Sequence, residues 1–229
     1  MERTLKGDNS RPLLLSICHD VTLHSDYYKG AYWQEKEHKR ASFVLTRQME
    51  LYGKTMGIIG LGHIGLCVAQ TAKAFGMKVI AYSRSVKTGP EYDGIEQKSF
   101  QDVLALSDVV SIHCPLTEAT RGLFDSTAFS QMKDGAILLN TARGEIIDEQ
   151  ALAKALETGK IYAAGLDVLT GEPLQKPSVL MSCPHTKLTP HMAWTPPESR
   201  IRGVYTEAAN FKRWLHGEPI QNLAEKRTV

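Results

Sequence analysis

Long apolar runs are missing from this 229-residue sequence. The stretch Leu13-Leu14-Leu15, which follows a polar start of mixed charge, is too short for a signal segment or a membrane helix. Cysteine is sparse: Cys18, Cys67, Cys114 and Cys183 lie far apart with no Cys-x-x-Cys pair, which argues against a disulfide framework and a zinc site. Reduced thiols in a cytoplasm are the expectation, with no bound metal. An excess of one charge is also lacking. The 27 Lys and Arg are balanced by 25 Asp and Glu and mixed with them, so a net charge of +2 offers no surface to nucleic acid or to an anionic membrane. Repeats and low-complexity tracts are absent as well. What remains is an ordinary globular composition, 42% hydrophobic and 23% charged, which can bury a core. The function must therefore reside in a site.

From Thr55 onward, short aliphatic runs at 56–59, 78–82, 109–113, 136–139 and 162–168 alternate with helix-like patterns at 64–75, 100–106, 126–132 and 149–157. That alternation predicts an α/β fold, a doubly wound parallel sheet covered by helices on both faces. Two segments stand outside it, 12–29 and 197–216, each with apolar residues near helical spacing, and 34–50 reads as a charged arm or loop.

Gly60-Leu61-Gly62-His63-Ile64-Gly65 directly follows the first apolar run and opens a helical pattern, the setting that a dinucleotide-binding turn requires. Gly60 suits the tight turn, Gly62 close approach to a pyrophosphate, and Gly65 close packing of helix on strand. His63 is expected to lie over the pyrophosphate, and Ile64 begins the helix. About 20 positions on, an NAD site presents a carboxylate to the adenosine ribose. This sequence presents Ser83-Arg84-Ser85 instead. A guanidinium can grip a ribose phosphate where a carboxylate would repel it, which favours NADP(H) over NAD(H). An arginine here could also stack on adenine or point to solvent.

Further segments complete a pattern: Leu51-Tyr52-Gly53-Lys54-Thr55, Ile112-His113-Cys114-Pro115-Leu116-Thr117, Asn140-Thr141-Ala142-Arg143-Gly144, Gly165-Leu166-Asp167-Val168, Gly171-Glu172-Pro173 and Thr189-Pro190-His191-Met192-Ala193. Together they resemble the D-isomer-specific 2-hydroxyacid dehydrogenase family over nearly all of 13–222. Pro190-His191-Met192-Ala193-Trp194 and Ile17-Cys18-His19 look most like its glycerate dehydrogenases, or hydroxypyruvate reductases.

The resemblance implies that Arg143 binds substrate, that His191 is the acid/base and that Glu172 is its partner. It also implies cofactor contacts from Asp167 to the nicotinamide carboxamide, from the backbone around Cys114 and Pro115 near the nicotinamide ribose, from Ala142 and Ala193 lining the ring pocket, and from His113, Thr120 and Thr141. The chemistry wants the same residue types: reduction of a 2-keto acid needs a proton donor at the carbonyl oxygen, and an imidazolium suits it. An arginine can grip the substrate carboxylate or polarise the ketone. Taken singly, each residue has a plainer reading, as a surface pair, a turn residue or a loop histidine. Only their joint occurrence after successive strands favours chemistry.

Family members carry an N-terminal substrate lobe that this sequence nearly lacks. The expected organisation is thus a linking helix at 1–33 as remnant of that domain, a dinucleotide-binding domain at 34–195, and a helix returning to the substrate domain at 196–229. The expected substrates are hydroxypyruvate/D-glycerate or glyoxylate/glycolate, and the expected assembly is a homodimer through the cofactor domain. The alternatives are a cofactor-binding scaffold impaired in catalysis, or another dehydrogenase of the family, such as one acting on 3-phosphoglycerate.

Overall fold

The computed structural model describes residues 9–30 and 43–220. Expectations that fall on 1–8, 31–42 and 221–229 lie outside the described residues. Seven parallel strands form one sheet in the order β3-β2-β1-β4-β5-β6-β7. They are β1 Thr55–Ile59, β2 Lys78–Tyr82, β3 Glu96–Gln97, β4 Val109–Ile112, β5 Ala136–Asn140, β6 Ile161–Leu166 and β7 Thr186–Leu188. The helices are α1 Ser10–His19, α2 Val21–Lys29, α3 His63–Ala74, α4 Phe100–Leu106, α5 Ser126–Gln131, α6 Glu149–Glu157 and α7 Pro197–Leu215.

Side chains alternate across a strand, and the central strands show it: Ala136 and Leu138 of β5 join one buried cluster, Ile137 and Leu139 the other. The first cluster takes in residues of α4, α5 and α6, and the second residues of α1 and α3, so both faces are covered. Strand β5 is buried throughout, which explains why it reads as a continuous apolar run. At the opposite edge of the sheet from the strand C-termini, Asp108 accepts from the Thr55 N–H at 2.8 Å and from Lys133 at 3.0 Å. Burial alone would push its carboxyl up. The Thr55 and Lys133 hydrogen bonds, with the charges of Lys133 and Lys54, together hold it below the ordinary value.

The structure corrects several sequence expectations. The single helix expected over 12–29 is two helices, because Asp20 adopts a left-handed conformation at φ 42° that ends α1. Its carboxylate is then directed at Lys187 of β7, 2.7 Å away. Helix α1 starts at Ser10, so Pro12 falls in its first turn, where no intrahelical N–H is lost. Leu13, Leu14, Ile17 and Cys18 are buried on the sheet. A Cβ on Gly165 would lie 2.9 Å from that of Leu13, so β6 admits the helix only because it carries glycine there.

The strand expected over 162–168 ends at Leu166, since Asp167 turns inward. Strands β3 and β7 were not foreseen: two and three residues are too few to show a period. The described part of the expected arm, 43–50, has no helix or strand, but Met49 is buried and its N–H donates to the Cys18 carbonyl. Helices α2 and α7 bury no residue, and α7 exposes Val204, Tyr205, Phe211 and Trp214. Among the described residues no helix is long and apolar enough to cross a membrane.

Candidate functional site

The C-terminal ends of the parallel strands share one edge of the sheet, where ligand crevices of such folds lie. Gly60, after β1, has φ 99°, and its N–H donates to the Tyr82 carbonyl at the end of β2, at 2.8 Å. A Cβ on Gly60 would come within 2.6 Å of the Cys114 nitrogen, so the turn is pressed against the end of β4. A Cβ on Gly65 would lie 2.2 Å from the Gly60 carbonyl oxygen, which fixes α3 against the turn. Gly62 differs: a Cβ there would meet nothing within 4 Å. It is the N-cap of α3, no side chain caps that helix, and its first residue, His63, is exposed. An open backbone at an uncapped helix N-terminus fits a dinucleotide pyrophosphate.

In the loop after β2, Ser83 is half-buried and Arg84 and Ser85 are exposed. Arg84 makes no hydrogen bond or ion pair among the described residues. Two participants escaped the sequence reading. Lys87 donates to the Ser85 hydroxyl at 3.0 Å. Gln97 of β3 clamps the backbone of Lys87, accepting from its N–H at 2.8 Å and donating to its carbonyl at 2.7 Å. The lysine was visible as a second cation in the loop. Gln97 was not, because its strand left no pattern.

After β4 and β5 lies a cleft of about 540 Å3 lined by Ile64, His113, Cys114, Pro115, Thr141, Ala142 and Arg143 among others. Seven residues that the sequence assigned to cofactor or substrate thus share one hollow. Burial pushes the Cys114 thiol up to about 11, which favours its protonated form at neutral pH. His113 Nε2 shares a 2.8 Å hydrogen bond with the Ser111 hydroxyl. The Thr120 hydroxyl fastens the bordering turn, donating to the Pro115 carbonyl at 2.7 Å and accepting from the Thr117 N–H at 2.8 Å.

Arg143 is exposed, and its carbonyl accepts from the buried Asn140 side chain at 2.8 Å. Asn140 also accepts from the Ala142 N–H at 2.9 Å, so it shapes the whole turn after β5. Gly144 then packs against the next loop: a Cβ would lie 2.0 Å from the Leu169 carbonyl carbon. That loop carries Glu172, whose Oε1 accepts from the Leu169 N–H at 2.8 Å and whose Oε2 meets His191 Nδ1 at 2.6 Å. Glu149, at the start of α6, holds the same loop by accepting from the Thr170 N–H at 2.7 Å and the Ser178 hydroxyl at 2.5 Å. Neither Asn140 nor Glu149 stood out as a site residue in the sequence.

A carboxylate can only accept, so its contact with His191 requires the proton on Nδ1. Nε2 has no partner among the described residues. Asp167, to which the resemblance assigns a contact with the nicotinamide carboxamide, lies directly after β6. It is 0% exposed, and its oxygens accept from Asn9, Thr189 and the N–H groups of Met192 and Ala193. In this structure its carboxylate holds the turn around His191, with Ala193 bound through its backbone.

The family model described as D-isomer specific 2-hydroxyacid dehydrogenase, NAD binding domain, matches residues 12–193. A hydroxypyruvate reductase of Blautia hydrogenotrophica is 38% identical over 220 residues, covering 96% of this chain and 67% of that protein. A glyoxylate reductase of Aeropyrum pernix is 44% identical over 182 residues, covering 79% of this chain and 54% of that protein. Among solved structures, a glyoxylate reductase from Paecilomyes thermophila superposes with a TM-score of 0.83 at 32% identity, covering 96% of this chain and 65% of that one. The chain therefore spans about half to two thirds of the length of these relatives. With a parallel seven-stranded sheet, a dinucleotide turn at its crevice and this match, the chain belongs to the D-isomer specific 2-hydroxyacid dehydrogenase family, through its NAD binding domain.

Proposed function

We propose that the chain binds NADP(H) in preference to NAD(H) and serves the reversible reduction of a small 2-keto acid, hydroxypyruvate or glyoxylate, to its 2-hydroxy acid. The observation that carries this reading is the 2.6 Å contact of His191 with Glu172 on the sheet edge that also bears the dinucleotide turn. When bound, the dinucleotide supplies or accepts the hydride. His191 delivers a proton from Nε2 to the carbonyl oxygen as the alkoxide develops, while Glu172 keeps the ring in the tautomer that can recover it. Arg143 grips the substrate carboxylate as a fixed cation with a planar fork of donors. Arg84 and Lys87, in the loop clamped by Gln97, receive the ribose phosphate that marks NADP(H).

Oxidation of NADPH and NADH, followed with hydroxypyruvate, glyoxylate and pyruvate in turn, tests this. NADPH is expected to be the better reductant. Arg84→Ala is expected to raise the KM for NADPH by about 10- to 100-fold, the size of a charge-assisted hydrogen bond, and to leave that for NADH nearly unchanged. A clear preference for NADH would overturn the cofactor assignment, and no oxidation with any of these acids would overturn the substrate class.

A further inference from the structure

Asn9 stands at the N-cap of α1, yet its side chain caps no N–H of that helix. Asparagine is among the best residues for that task, because its side-chain oxygen can accept from the first free N–H groups. Here the amide is engaged far along the sequence instead: Nδ2 donates to Asp167 Oδ1 at 3.2 Å and to Thr189 Oγ1 at 2.8 Å. The Thr189 hydroxyl in turn donates to Asp167 Oδ1 at 2.5 Å, closing a triangle of three side chains. Asn9 and Asp167 are both buried.

What the triangle holds is the turn that carries His191. Asp167 accepts from the N–H groups of Met192 and Ala193, each at 2.9 Å. The His191 N–H is shared between the carbonyls of Asp167, at 2.8 Å, and Thr189, at 3.0 Å. His191 itself has φ 51°, a left-handed conformation that is uncommon for residues other than glycine. A carboxylate without solvent depends on its donors. Among the described residues four groups donate to the Asp167 carboxylate, and of these the Asn9 amide alone comes from outside the segment 167–193.

We propose that Asn9 is a positioning residue: acting through Asp167 and Thr189, it ties helix α1 to the turn that aims His191 at Glu172. The hydrogen-bonded triangle, and not the packing of Leu13 on Gly165, is the part of this link that bears on the imidazole. The catalytic meaning of this link rests on the proposed role of His191, but the link itself can be read without turnover.

The test uses the full chain labelled with 15N. The His191 ring resonances, assigned by their disappearance in His191→Gln, report which nitrogen carries the proton. The parent is expected to hold the neutral ring as one Nδ1–H tautomer. Asn9→Ala is expected to raise the Nε2–H fraction by at least about threefold, and Asn9→Ser, which keeps a donor, by less. Leu13→Ala removes a buried α1 side chain and leaves the triangle whole, so it is expected to lower the melting temperature while keeping the parent tautomer. Should Asn9→Ala not fold, Asn9→Ser carries the comparison with Leu13→Ala. A parent-like tautomer ratio in the folded Asn9 variants overturns the proposal and leaves Asn9 a structural contact. Full turnover in His191→Gln would instead refute the role of His191, and it is seen in a separate assay.

Discussion

His191→Gln is expected to lower kcat for keto-acid reduction by about 10² to 10⁴ and to leave dinucleotide affinity unchanged, as befits a lost general acid. The hydride step makes an alkoxide, and without a proton donor that charge must wait for water. Glutamine keeps the size and polarity of the side chain but offers no exchangeable cation. Glu172 would then lose its partner at 2.6 Å, yet it is partly exposed and still accepts from the Leu169 N–H, so the loop should persist and the loss should appear in the chemical step. Turnover at the parent rate would remove His191 from the mechanism. A comparable fall in dinucleotide affinity would mean that the substitution had disturbed the turn rather than the proton transfer.

Gly144→Ala is expected to damage the site from outside it. The added Cβ would fall 2.0 Å from the Leu169 carbonyl carbon, 2.2 Å from its oxygen and 2.4 Å from the Thr170 nitrogen, all backbone atoms with no flexible end to give way. Forcing a methyl into such a contact costs about 1–3 kcal/mol, and at roughly 2–4 °C per kcal/mol for a chain of this size the melting temperature should fall by about 2–12 °C. The atoms displaced are those that hold Glu172, through the Leu169 N–H, and those held by Glu149, through the Thr170 N–H. Turnover should therefore fall further than the loss of folded protein explains. Unchanged melting and kinetics would show that the two loops separate freely and that their contact does not set the site.

Legibility from sequence followed length and periodicity. Strands β1, β2, β4, β5 and β6 were readable because buried parallel strands are near-continuous apolar runs, and β3 and β7 were not, because edge strands of two or three residues leave no such trace. The glycine turn was readable from the spacing of its glycines, two of which answer a local steric demand: Gly60 and Gly65 face backbone atoms at under 3 Å. Arg143, Glu172 and His191 emerged only jointly, through their order along the chain. Asn140, Glu149, Gln97 and Asn9 were illegible for a common reason. Each acts through hydrogen bonds made by tertiary folding, and nothing in its local sequence distinguishes it from an ordinary polar residue. Asp167 shows the same limit: the resemblance gives it a cofactor contact, while its hydrogen bonds to the His191 turn left no trace in the sequence.

Whether the turn at 60–65 receives a nicotinamide dinucleotide is read from fluorescence titration of the chain with NADPH and NADH, beside Gly62→Val. A side chain at Gly62 meets no protein atom within 4 Å, and its φ of −86° suits any residue, so the variant should melt as the parent does. It should nonetheless lose dinucleotide affinity by at least about tenfold, because the new methyls stand where the pyrophosphate must approach. Saturable binding to the parent with that loss is the predicted result. A parent that binds neither dinucleotide, or a Gly62→Val variant that binds as well as the parent, would show that this turn is not the dinucleotide site.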